Sequence, residues 1–99
     1  MQSSYGESFE RDMGCTLAEW RMWLPQAIGT NASEISAQTA RVHIGPGELL
    51  LSWQEAAPRR IGLMRIPRLQ VSFQFKQLDD TERYRFMKRF DLYMQRGGG

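Results

Sequence analysis

The sequence predicts an α+β fold, a two-layer sandwich of one antiparallel sheet and two helices, and three observations carry that prediction. Leu69 to Lys76 alternates apolar and polar residues with the period of two of a half-buried strand. Behind it, Phe86, Met87, Phe90, Tyr93 and Met94 project, at about 100° per residue, into one arc roughly 120° wide, the stripe of a core-facing helix. Near the other end, Thr16-Leu17-Ala18-Glu19 has the pattern of a capping box and opens a second amphipathic helix.

In order, residues 1–14 are polar and glycine-punctuated and are expected to form a loosely ordered arm. Phe9 and Met13, four apart, permit at most a helical turn or two before Gly14. The first helix follows Thr16 and buries Leu17, Trp20, Trp23, Leu24, Ala27 and Ile28. Pro25 ends it near Leu24 or kinks it on its way to Gly29, because proline has no N–H to donate and disfavours helix at the residue before it. Thr30 to Gln38 reads as a connection.

Ala40, Val42 and Ile44 make a first strand, and Gly45-Pro46-Gly47 suits a type II turn into a second strand, Glu48 to Gln54. Ala56-Ala57-Pro58 reads as a break. Arg59 to Ile66 is apolar on both faces, as in a central strand, and Pro67 separates it from the strand at Leu69 or merely kinks one long strand. The expected architecture is therefore a four-strand meander in the order helix, four strands, helix. Both helices lie on one sheet face, and Arg41, His43, Ser52, Gln70, Ser72, Gln74 and Lys76 lie on the other. Residues 15–96 form the single domain and 97–99 a flexible glycine tail.

Ninety-nine residues suffice for one domain. A lone cysteine, Cys15, cannot form an internal disulfide, and Met1 to Glu10 carries no basic-then-apolar leader, so a reduced cytoplasmic setting is expected. The apolar runs fall far short of the roughly 20 residues that cross a bilayer, and no membrane partner is expected. The formal charge of +2 conceals an asymmetry. Residues 1–58 hold three Arg against seven acids, a balance of −4, whereas residues 59–99 hold ten Arg and Lys against four acids, a balance of +6.

Several chemistries lack their residues. One His and one Cys give no metal-ligand spacing, so neither a metal nor another cofactor is expected. Gly45-Pro46-Gly47 lacks the helix and lysine of a phosphate loop. Cys15 stands beside a helix N-cap, where the dipole lowers thiol pKa values, but no base accompanies it, and a small residue packed at the helix start is the plainer account. Asp79, Asp80 and Glu82 are first-turn residues that complement the helix dipole. The terminal Arg96-Gly97-Gly98-Gly99 resembles the diglycine tail of ubiquitin-like modifiers and sulfur carriers; those families place the tail after a strand, whereas here it follows a helix, and a glycine helix stop accounts for it. Enzymatic activity thus has no support.

The surface signal is the outer side of the last helix, where Tyr84, Lys88 and Leu92 form a ridge flanked by Arg85, Arg89 and Arg96, the residue types of a binding patch. The first reading is a small cytoplasmic accessory protein of bacterial type that binds a protein partner there. The second is RNA or single-stranded DNA binding by the Arg-rich half, residues 59–96, with Arg59, Arg60, Arg65 and Arg68 as phosphate contacts. It ranks behind because Phe73 and Phe75 are in phase with the buried face, whereas RNA-binding sheets turn their aromatics outward. A third is a small apolar ligand held between sheet and helices by Trp20, Trp23, Trp53 and Met64. The unpaired edges of an open meander also suggest a homodimer through an edge strand.

Overall fold

The computed structural model describes residues 4–96, which run as β1 (Ser8–Met13), α1 (Leu17–Ile28), β2 (Ser33–Ile35), β3 (Thr39–Ile44), β4 (Gly47–Ile61), β5 (Met64–Lys76) and α2 (Asp80–Arg96). The strands form one five-stranded antiparallel sheet in the order β1-β5-β4-β3-β2. The α+β class and the antiparallel sheet are as the sequence predicts. The four-strand meander is not: a strand precedes the first helix, another occupies part of the expected connection, and the expected strand Arg59 to Ile66 is split at Gly62-Leu63, its halves continuing β4 and β5.

β1 replaces much of the loose arm expected over residues 1–14. It pairs with β5 from Ser8 opposite Gln74 to Met13 opposite Leu69. Its polar composition conceals a period of two, in which Phe9, Arg11 and Met13 turn inward while Ser8, Glu10 and Asp12 face solvent. A spacing of four between Phe9 and Met13 fits a strand as well as a helix, and the free edge of β5 decides between them.

α1 is capped as predicted. The Thr16 hydroxyl accepts from the Glu19 amide at 3.1 Å, and the Glu19 carboxylate accepts from the Thr16 amide at 2.9 Å. The helix continues through Pro25 to Ile28, and the Gly29 amide donates to the Pro25 carbonyl at 3.1 Å. α2 starts with an equivalent box, in which Asp79 accepts from the Glu82 amide and Glu82 from the Asp79 amide.

The core lies between the helices and one sheet face. Leu49, Leu51 and Trp53 of β4 stand opposite Phe75, Phe73 and Val71 of β5, so these six side chains share a face, and all are buried. Trp20 of α1 meets Trp53 at 5.4 Å between ring centroids, Phe90 of α2 meets Phe73 edge-on at 5.6 Å, and Trp20 and Phe90 meet at 6.2 Å. The inward stripe of α2 (Phe86, Met87, Phe90 and Met94) is buried, with Tyr93 half-buried beside it.

Two hairpins set the registers. The β3–β4 loop is Gly45-Pro46, one residue earlier than the turn expected at Pro46-Gly47. Gly45 at φ 50° takes the positive φ that primed two-residue hairpin turns need at their first position. Gly47 is required for another reason, since a Cβ there would lie 2.1 Å from the Lys76 carbonyl oxygen of the paired strand. The β4–β5 loop is Gly62-Leu63, flanked by the pair Ile61 and Met64. The expected break at Ala56-Ala57-Pro58 is instead a bulge inside β4, where the register slips between Ala56 and Arg59. Pro67 lies across from it within β5, so both prolines fall where the ladder is already interrupted and no amide is missed.

Candidate interaction surfaces

The first surface is a two-stranded arm. β3 pairs with β4 only as far as Ser52, and β1 pairs with β5 only from Leu69 onward, so the hairpin beyond the bulge has no neighbour on either side. A 15-residue strand spans about 50 Å at roughly 3.3 Å per residue, close to the 47 Å long axis of the molecule. Arg59 to Ile66, read from sequence as a central strand, is thus the projecting end of this hairpin; Ile66 at its root is half-buried, and the apolar residues nearer the turn are uncovered. Leu63 at the turn is 106% exposed, Met64 65% and Ile61 56%.

Four arginines stand behind that tip, in two pairs with different environments. At the root, Asp12 of β1 receives Arg68 Nε at 3.0 Å and Arg59 Nη2 at 3.6 Å, while Arg68 Nη1 donates across the bulge to the Ala57 carbonyl at 3.3 Å. Nearer the tip, Arg60 and Arg65 are direct cross-strand partners. Both are exposed, and among the described residues neither has a carboxylate partner. Like charges placed opposite each other repel.

The second surface is the outer side of α2. Arg85, Lys88, Arg89 and Leu92 are exposed, Leu92 at 46%. Tyr84 is not on the outward ridge the sequence suggests. It is half-buried, with its ring 6.4 Å from that of Tyr5, because the segment entering β1 runs along this flank of the helix. Arg89 stacks on Tyr93 at 4.8 Å from the ring centroid and lies against Gly29, where an added Cβ would be 2.8 Å from the guanidinium. Arg96 closes α2 at the limit of the described residues, and Gly97 to Gly99 lie outside them.

The acids of α2 are all engaged within the fold. Glu82 completes the cap, and Asp80 pairs with buried Arg83, which also donates to the Tyr5 carbonyl at 2.9 Å and the Leu78 carbonyl at 2.7 Å. Asp91 accepts from Arg11 at 2.5 and 3.1 Å and from the Tyr5 hydroxyl at 2.6 Å. The arginine itself lies over the rings of Tyr5, Phe9 and Phe73 at 5.4 to 5.7 Å. Burial, the bond to Asp91 and that carboxylate's charge push the Tyr5 hydroxyl up to about 12. Burial alone would lower Arg11, but the hydrogen bond and charge of Asp91 hold it above its ordinary value. Arg85, Lys88 and Arg89 consequently have no carboxylate among the described residues. No family model and no curated protein matches this chain.

The remaining candidates separate. Cys15 is buried, and burial with the nearby Glu19 charge pushes its thiol up to about 11, the opposite of an activated thiol, so the plainer account stands. Trp20, Trp23 and Trp53 are core residues, whereas Met64 is at the arm tip, so these four do not gather around a ligand. The sheet face away from the helices is shallow and polar, lined by residues such as Thr39, Arg41, Ser52, Ser72 and Gln74. His43 there bonds Glu34 at 2.9 Å, a contact that holds the exposed Glu34 carboxyl below its ordinary range. No described helix is long and apolar enough to cross a membrane.

The sequence reading missed Tyr5, Arg11, Arg83 and Asp91. One signal was available for Asp91: it is an acid seven residues after Tyr84, hence on the same flank of the helix, within an otherwise basic stretch.

Proposed function

We propose that the chain is a small accessory protein that binds an acidic protein partner through the outer side of α2, with Arg85, Lys88, Arg89 and Leu92 as the contact. The observation that supports this reading is the segregation of charge on the helix. Its three carboxylates in the folded unit are taken up by a cap, by Arg83 and by Arg11, and the outward cations are left beside one exposed leucine. A cationic rim around an apolar anchor is the composition of a transient interface, and the absence of neutralising acids favours an acidic counterpart. Tyr84 drops out of the contact because Tyr5 covers it.

The test is affinity capture with the intact protein and with the variant Arg85→Glu, Lys88→Glu, Leu92→Ala. All three positions face solvent, so circular dichroism should show an unchanged fold. A partner recovered with the native chain should be lost with the variant and should be released by added salt. Equal recovery with both proteins overturns the reading.

Nucleic-acid binding by Arg59, Arg60, Arg65 and Arg68 ranks second. Arg59 and Arg68 already share Asp12, and Phe73 and Phe75 are buried, which leaves no outward aromatic on β5 for a base to stack on.

A further inference from the structure

We propose that the β4–β5 arm is a membrane-docking finger, whose tip Ile61-Gly62-Leu63-Met64 enters the interface of an anionic bilayer while Arg60 and Arg65 take lipid phosphates. This is independent of the partner reading of α2, since it uses another element and other residues.

Three observations carry it. The tip exposes three large aliphatic side chains in succession, one of them completely, on a narrow ribbon and not on a flat face. Arg60 and Arg65 are opposed across the ribbon with no anion among the described residues, so the folded protein holds a doubly cationic pair that an external phosphate would relieve. The flanks of the arm are unsuited to strand addition, because Pro58 and Pro67 remove amide donors and the arginines add charge, the usual means of guarding an edge. The tip is what remains to make contact.

The order of chemistry along the arm selects among anionic partners. Leu63 comes first, with Arg60 and Arg65 roughly 5–10 Å behind it, two to three residues at strand spacing, and Ile61 and Met64 stand one residue ahead of the arginines. A bilayer offers the complementary order, phosphates outside and acyl chains within, and interfacial segments bury their apolar side to a depth of roughly 5–10 Å. Arginine stems can then extend back to the phosphate plane. A duplex groove places phosphates at its rim but polar base edges on its floor, which gives the aliphatic tip little to bury against. Docking of this kind needs no spanning segment, so the short apolar runs that exclude a transmembrane helix have no bearing on it.

The experiment is cosedimentation of the intact protein with phosphatidylcholine vesicles, with and without phosphatidylglycerol. Binding is expected only to the anionic vesicles. Leu63→Asp should weaken it about tenfold or more, the loss of one buried aliphatic side chain. Arg60→Glu with Arg65→Glu should weaken it about 30-fold or more, since each basic residue near an anionic surface contributes about a fivefold factor. A Leu63→Trp variant should show a blue-shifted emission on adding anionic vesicles. All these positions are exposed, and unchanged melting curves would confirm that the fold is retained. No binding to anionic vesicles at low salt overturns the proposal. So does vesicle binding that Leu63→Asp leaves intact, which would be charge attraction without insertion. Salt-sensitive binding to an oligonucleotide in place of vesicles, or exclusive retention by an acidic protein, also overturns it and transfers the arm to that partner class.

Discussion

Replacing Asp91 with alanine is expected to destabilise the fold by about 3 kcal/mol, the cost of removing one partner from a largely desolvated ion pair. The carboxylate is the meeting point of the two ends of the described chain. It accepts two bonds from Arg11 on β1 and a third from Tyr5, and it stands on the last helix. Without it, Arg11 stays turned inward over the rings of Tyr5, Phe9 and Phe73 and loses the carboxylate that balances its charge. Those contacts offset only part of the lost charge pairing. At roughly 4–8 °C per kcal/mol for a domain of this size, the midpoint of thermal unfolding should fall by about 12–24 °C. Asp91→Asn keeps an acceptor and should lose about half as much. The discriminating variant is Arg11→Met combined with Asp91→Leu. If the single change is costly because it strands a charge, the apolar double variant should recover most of the loss. A double variant as unstable as Asp91→Ala would refute that account and make the contact one of shape alone.

β1 and α2 illustrate what the sequence could and could not disclose. The inward stripe of α2, the strand at Leu69 and the capping box at Thr16 are local patterns, complete within a dozen residues, and all three are present in the structure. β1 is different, because its identity is a property of β5. A six-residue polar stretch with an inward arginine becomes a strand when a paired edge and a distant carboxylate are supplied, and Asp91 lies 80 residues away. The same non-locality conceals the arm. Arg59 to Ile66 is apolar on both faces, as a central strand would be, and the structure turns the chain within it at Gly62-Leu63. That neither neighbouring strand reaches this far depends on where β3 and β1 end. The candidate surfaces were legible to a similar extent. Arg85, Lys88 and Arg89 of α2 are outward as its helical phase requires, but Tyr84 is removed from the ridge by Tyr5, a residue expected to lie in a loose arm.

Stability should decline steeply as pH rises from about 9 to about 12, through two groups in the half of the chain that holds β1 and the start of α1. Cys15 has an ordinary thiol value of 9.0 and is pushed up to about 11 in the fold, and Tyr5 moves from 10.0 to about 12. In both cases burial opposes the charged form, and a carboxylate, Glu19 or Asp91, opposes it further. In each interval the unfolded chain has lost a proton that the folded chain keeps, so the unfolded state binds fewer protons and stability falls as pH rises. The contribution of the thiol is fully present below pH 9.0 and is lost as pH passes about 11; that of the phenol is fully present below pH 10.0 and is lost as pH passes about 12. Each shift corresponds to on the order of 2 kcal/mol, so the two together remove a large share of the roughly 5–15 kcal/mol typical of a small domain. Urea unfolding measured at intervals across this range tests the claim. Tyr5→Phe should flatten the upper part of the decline and Cys15→Ala the lower part, while each lowers stability by about 1 kcal/mol at neutral pH through the lost hydrogen bond or the small cavity. If both variants retain the full alkaline decline, the loss arises elsewhere, and neither Tyr5 nor Cys15 is held neutral by its surroundings.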